Sequence, residues 1–154
     1  MDERILRITR GAAIAALYAV VTIIFQPISY GLVQVRVSEA LTLLPFLWLE
    51  AVPGVFIGCL FANIWGGTGL LDIILGSATT LAAAILTRYA PNKFLAATSP
   101  VVMNALVVGS YLSYILNAPL LLSIFYVGCG QAIACYALGL PLLNLVKSGK
   151  MFIK

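Results

Sequence analysis

The chain has no histidine, three cysteines, and acidic residues at only five of its 154 positions. Each scarcity removes a class of function. Without histidine, a serine or cysteine nucleophile lacks its usual base. Cys59, Cys129 and Cys135 follow no metal-ligand spacing and read as small packing residues, not as a zinc site. Gly66, Gly67 and Gly69 lack the lysine and the helix context of a nucleotide loop, so no cofactor or nucleotide is expected on this chain. Charged residues make up 9% of the sequence, against about 25% in a domain whose surface faces water. Polar groups this sparse cannot cover a soluble globule.

What is present is apolar length. Hydrophobic residues reach 62% and the mean hydropathy is +1.08. The chain reads as a single integral membrane domain. Its net charge of +4 does not imply nucleic acid, because the basic residues form no stripe with interleaved aromatics. They sit singly at the ends of apolar runs, as topology signals do. A bilayer core about 30 Å thick needs about 20 apolar residues per helix. Gly and Pro punctuation divides the chain into spans at about residues 11–28, 39–48, 52–65, 70–89, 94–116 and 119–146. The expected fold is therefore all-α, with six transmembrane helices. A five-span variant, with segments two and three fused as a re-entrant pair, is the alternative. The first segment does not read as a cleaved signal, since more apolar sequence follows it. With both termini cytoplasmic, Arg4, Arg7, Arg10, Arg88, Lys93, Lys147, Lys150 and Lys154 all fall inside, and Arg36 alone falls outside.

On this topology the polar side chains within the spans gather in one half of the membrane. Arg36 and Glu39 lie at the mouth of span two, Asn63 ends span three and Asp72 begins span four. Asn104 lies at mid-depth in span five, with Tyr111, Tyr114 and Asn117 beyond it, and Tyr126 and Gln131 enter span six. Glu50 is the exception and reads as a solvated helix end. Polar groups at membrane depth are tolerated where they line a cavity, so the pattern predicts a pocket open to the outside. The link QPISYGLVQVRVSE, with Leu32, Gln34, Arg36 and Ser38 alternating, would lie over it as a lid, an extended segment or a hairpin. Each residue alone has a plainer explanation. Asn63 and Asn104 serve equally as interhelical bonds, Asp72 as a helix N-terminal charge, Arg36 and Glu39 as each other's partners, and the tyrosines as an interfacial belt. Their co-location favours a binding site. Span one opens GAAIAALYA, placing Ala12 and Ala16, and Ala15 and Ala19, four apart. Small residues at that spacing admit another helix closely, from this bundle or from a partner.

The runs SYGLVQVRVSEALTLLPF, GVFIGCLFANIWGG and LLDIILGSATTLAAAILTR resemble, in order, the QueT family of substrate-binding (S) components of energy-coupling-factor transporters. The resemblance covers spans one to four. Many relatives carry an aromatic residue where this chain has Val35. The resemblance implies a six-helix S component with a pocket capped by the first extracellular loop, in the bacterial cytoplasmic membrane. It also implies a cargo of queuosine precursors or related 7-deazaguanines, and as partners a transmembrane coupling subunit and two cytoplasmic ATPases. Family members meet the coupling subunit through AxxxA motifs, which map here onto Ala12, Ala16, Ala15 and Ala19. For such a cargo, Glu39 is expected to accept the ring N1–H and exocyclic amine, with Arg36 or Asn63 at the carbonyl edge. Asp72 would then oppose an aminomethyl cation, and Tyr111, Tyr114 or Tyr126 would stack. Asn104 and Gln131 are further polar candidates. The chain is expected to be a non-catalytic subunit. Its rivals are an S component for another vitamin such as thiamine or riboflavin, a membrane assembly factor without cargo, and a free-standing channel or secondary transporter. The last would need an inverted repeat, which the halves do not show.

Overall fold

The computed structural model describes residues 2–30 and 34–149. Leu32 of the expected lid and the basic residues Lys150 and Lys154 lie outside the described residues. Among those described, every regular element is helical and none is a strand.

Helix α1 (Glu3–Ile24) begins at an Asp2 cap whose Oδ1 accepts from Arg4 N at 3.1 Å. Only Ile14, Tyr18 and Thr22 are buried, one inward stripe four residues apart, while Leu17, Val20 and Ile24 stay exposed as lipid-facing positions would. A short α2 (Gln26–Ser29) follows where the expected lid, an extended segment or a hairpin, was to begin. Its end is tied to the returning chain by Val35 N donating to Ile28 O at 3.0 Å. Val37–Phe46 then forms a 3-10 helix, buried without interruption from Ser38 to Pro45. At about 2.0 Å rise per residue, its 10 residues reach farther than an α-helix of equal length. This element packs against α1 and against helices from both later halves of the bundle, so it threads the centre. Leu41, Leu43 and Leu44 anchor the apolar core around it.

Helix α3 (Ala51–Gly66) ends at Gly67, whose φ of 60° stops the helix in the left-handed region. A π-helical turn (Asp72–Gly76) leads into α4 (Ser77–Arg88). Helix α5 (Lys93–Leu116) is capped by Asn92, whose Oδ1 accepts from Phe94 N and Leu95 N at 3.1 and 2.9 Å. The last run joins α6 (Leu120–Ala132), another π-helical segment (Ile133–Gly139) and α7 (Leu140–Lys147).

Three of these runs are long and apolar enough to cross a membrane: Glu3–Ile24, Lys93–Leu116 and Leu120–Lys147. Val37–Phe46 and Ala51–Gly66 are apolar but shorter. Each of the six apolar segments expected from the sequence falls on helical structure, but the first helix begins at Glu3, eight residues before the expected start, and three of the six runs have the length and hydropathy to cross a membrane.

Helices α1 and α3 pack at backbone distance. A Cβ built on Gly58 would stand 2.6 Å from Ala15 O and 2.7 Å from Tyr18 Cβ, so only glycine permits the approach. At the end that holds the chain termini, Arg10 Nη1 bonds Glu50 Oε1 at 2.6 Å, and the Arg10 guanidinium lies 4.4 Å from the Trp48 ring centroid. Glu50 is thus not a solvated helix end: its side chain is mostly covered and clamps α1 to the start of α3. Arg4, Arg7, Arg88, Lys93 and Lys147 lie on elements that begin or finish at the same end, whereas Arg36 lies toward the opposite one.

Candidate functional site

Polar side chains with no water or lipid headgroup within reach must satisfy one another. Arg36, Glu39, Asn63, Asp72, Asn104 and Gln131 are all buried, Arg36 at 3% and Glu39 at 0% exposure. The sequence pattern had grouped these six in one half of the bundle, and the structure brings them into two adjoining networks.

One network is built around Arg36, at the entry to the 3-10 helix. Arg36 Nη2 donates to Asn63 Oδ1 at 2.7 Å and lies 3.9 Å from Asp72 Oδ2. Asn63 Nδ2 in turn donates to Asp72 O at 2.9 Å, and Arg36 Nη1 reaches Cys59 Sγ at 3.7 Å. The Tyr111 phenol donates to Asp72 Oδ1. The π-helical turn beginning at Asp72 places its backbone oxygen against α3 and its carboxylate between α3 and α5. Single π turns of this kind are frequent at functional sites.

The other network centres on Glu39, one turn into the 3-10 helix. Tyr18 donates its phenol to Glu39 Oε1 at 2.5 Å. Asn104 Nδ2 lies 3.5 Å from Glu39 Oε2 and 3.3 Å from Gln131 Oε1. Beside it, the hydroxyls of Thr22 and Ser38 share a bond of 2.6 Å. Arg36 and Glu39, close in sequence, do not pair: among the described residues no ion pair joins them, and each turns to a different set of helices.

Above the Arg36 network Tyr30 closes the bundle. Its ring centroid lies 5.1 Å from the Arg36 guanidinium and its phenol donates to Ala62 O at 2.8 Å. Burial pushes the Tyr30 phenol up from its ordinary range, which keeps it a donor. On its other side Tyr30 lines a cleft of about 590 Å³ with Ile23, Gln26, Pro27, Gly66 and Thr68. Gln34, on the returning chain, lies with its backbone against α6. A Cβ on Gly130 would overlap the Gln34 carbonyl, so this glycine is what lets the chain cross and deliver Arg36 inward.

Of the three tyrosines expected to stack, Tyr111 joins the Asp72 network. Tyr114 is 82% exposed at the end of α5, and Tyr126 is half-buried beside Phe125, its ring centroid 6.0 Å from that ring. Neither reaches the networks. Tyr18 and Tyr30, which the sequence pattern did not single out, do. The usable signal for Tyr18 was its place in a polar pair with Thr22, four residues apart in an otherwise aliphatic helix.

Ala12 and Ala16 are exposed and Ala15 and Ala19 half-buried. They line two cavities, of about 490 and 300 Å³, that share Ala15 and Ile57 and so form one groove along α1 and α3. Its far wall is Gly54, Gly58, Phe61 and Trp65.

Residues 8–148 match the model of a family described as QueT transporter. Over 72 residues the chain is 39% identical to the queuosine precursor transporter QueT of Lactococcus lactis subsp. cremoris (strain MG1363). The match covers 46% of this chain and 42% of that protein, so it spans less than half the length of the relative. No solved structure matches the chain.

Proposed function

The chain belongs to the QueT transporter family, and from that premise we propose that it is the substrate-binding subunit of an energy-coupling-factor importer for a queuosine precursor of the 7-deazaguanine class. One observation carries the site: a closed cluster of guanidinium, carboxylate and amide groups, buried in an apolar helical bundle, with Arg36 and Glu39 at its centre. A membrane protein keeps ionisable groups at depth only where they pair or serve a solute. A flat heterocycle with donors on one edge and a carbonyl on another meets carboxylates and a guanidinium in kind.

In this reading the protein lies in the bacterial cytoplasmic membrane with both termini inside and crosses it six times, the short central segments spanning within the bundle. The basic residues at the terminal end support that orientation. Cargo enters at the opposite end, past Tyr30. The groove lined by Ala12, Ala15, Ala16 and Ala19 receives the transmembrane coupling subunit. Two ATPases on the cytoplasmic side power the release of cargo by opening the networks inward. The chain itself performs no chemistry.

The test is calorimetric titration of the purified protein in detergent with 7-aminomethyl-7-deazaguanine and with guanine. Submicromolar affinity for the first and much weaker binding of guanine support the reading. Binding of thiamine or riboflavin instead, or of nothing by folded protein, rejects the cargo.

A further inference from the structure

Among the described residues, three side chains of charged type are buried in the bundle: Arg36, Glu39 and Asp72. One is cationic and two are acidic, so the ionised cluster holds one more negative than positive charge. An unbalanced charge in a desolvated interior is costly, and such charges are ordinarily paired. Asp72 already has its counterion, since Arg36 Nη2 lies 3.9 Å away and the Tyr111 phenol and Asn63 hold the rest of the residue. Among the described residues Glu39 makes no ion pair. Its carboxylate receives a phenol at 2.5 Å and an amide at 3.5 Å, with the Thr42 hydroxyl as a further partner, all neutral. The amide contact is long, at the outer limit of a hydrogen bond, and is the one a stronger donor would displace.

Another, independent vacancy lies in the adjoining Arg36 network. Arg36 Nε is buried and, among the described residues, is the one buried side-chain nitrogen or oxygen without a hydrogen-bond partner. It is a donor without an acceptor, on a side chain that is 3% exposed. Leaving such a group unpaired is costly, and ligand binding is the natural way to relieve it.

The two vacancies are complementary, and we propose that together they define the cargo. Its chemistry is that of an organic cation whose ammonium group seats on Glu39 and whose oxo group accepts from Arg36 Nε. This reverses the roles expected from the sequence, in which Asp72 opposed the cation. The inference rests on the reading that these networks are the cargo site. Within the 7-deazaguanine class it selects members with a protonated amine on the 7-substituent over neutral ones.

The experiment compares 7-aminomethyl-7-deazaguanine with its uncharged 7-cyano counterpart on wild type, Glu39→Gln, Asp72→Asn and Arg36→Lys, each first checked for a monodisperse helical fold. Wild type is expected to prefer the amine by about tenfold to a hundredfold, the range of one charge-assisted bond. Glu39→Gln abolishes that preference and Asp72→Asn retains it. Arg36→Lys keeps the charge but loses the planar Nε donor, and weakens both compounds by a similar factor. Should Glu39→Gln not fold, Glu39→Asp keeps the charge and is expected to keep the preference at lower affinity. Equal binding of the two compounds to wild type, or loss of the preference in Asp72→Asn and not in Glu39→Gln, overturns the inference. If neither deazaguanine binds, the queuosine-precursor reading fails by itself. Thermal shifts with benzylamine, a primary ammonium, and benzyl alcohol, its neutral counterpart, then decide the cation subsite. Stabilisation by benzylamine that Glu39→Gln removes upholds it, and no such difference overturns it.

Discussion

Tyr18 shows how much one hydroxyl carries in this interior. Its ring is fully buried between Ile14 and the 3-10 helix, and its oxygen supplies the shortest bond that Glu39 receives. Tyr18→Phe keeps the ring and deletes the donor. A buried carboxylate left short of a partner costs about 1–3 kcal/mol, so the variant should unfold at lower temperature in detergent and bind cargo more weakly. Tyr114→Phe, at an exposed position, should change neither. The contrast also marks what could be read from the sequence. Arg36, Asn63, Asp72, Asn104 and Gln131 announced themselves because a charge or amide in an apolar run has few inexpensive places to go. Tyrosine is at home in a core and at a lipid interface alike, so seven of them gave no ranking, and Tyr18 and Tyr30 were passed over for Tyr114 and Tyr126.

At the scale of the element, glycine and proline marked the six apolar segments well, although the segment holding Glu39 is too short to span as an α-helix. It is wound as a 3-10 helix, about 20 Å over its 10 residues and so still shorter than a bilayer core of about 30 Å, a winding that the residue types VSEALTLLPF do not reveal. The two π-helical segments were equally hidden, since their composition is that of any apolar helix. They matter because a π turn holds one residue more than the α-helix it interrupts. Deleting Ile74 should restore α register and swing Asp72 about the helix axis away from Arg36 and Tyr111. Circular dichroism is expected to show unchanged helix content while calorimetry shows cargo binding lost. Gly130→Ala tests the crossing segment in the same way. Its methyl group would press on the Gln34 carbonyl, shift Arg36 two residues on, and weaken binding with little change in helicity.

For the molecule as a whole, the groove and the polar networks lie on opposite faces of one helix pair. Ala16→Leu fills the groove from an exposed position without touching the interior. Cargo affinity of the isolated protein should stay as in wild type, while uptake by cells carrying the variant should fall severalfold or more. Equal loss of both would place Ala16 in the fold and not at a docking surface. The backbone contact at Gly58 has a consequence for how such a protein can be regulated. Ala15, in the groove wall, and Tyr18, at the carboxylate, stand within one turn of each other and grip the same glycine. The two faces are therefore joined through one close backbone contact. By thermodynamic reciprocity, whatever docks outside changes the affinity for what is held inside by the same factor that the cargo changes docking. On the function proposed above, a loaded and an empty protein would then compete unequally for the coupling partner, through one glycine-seated lever.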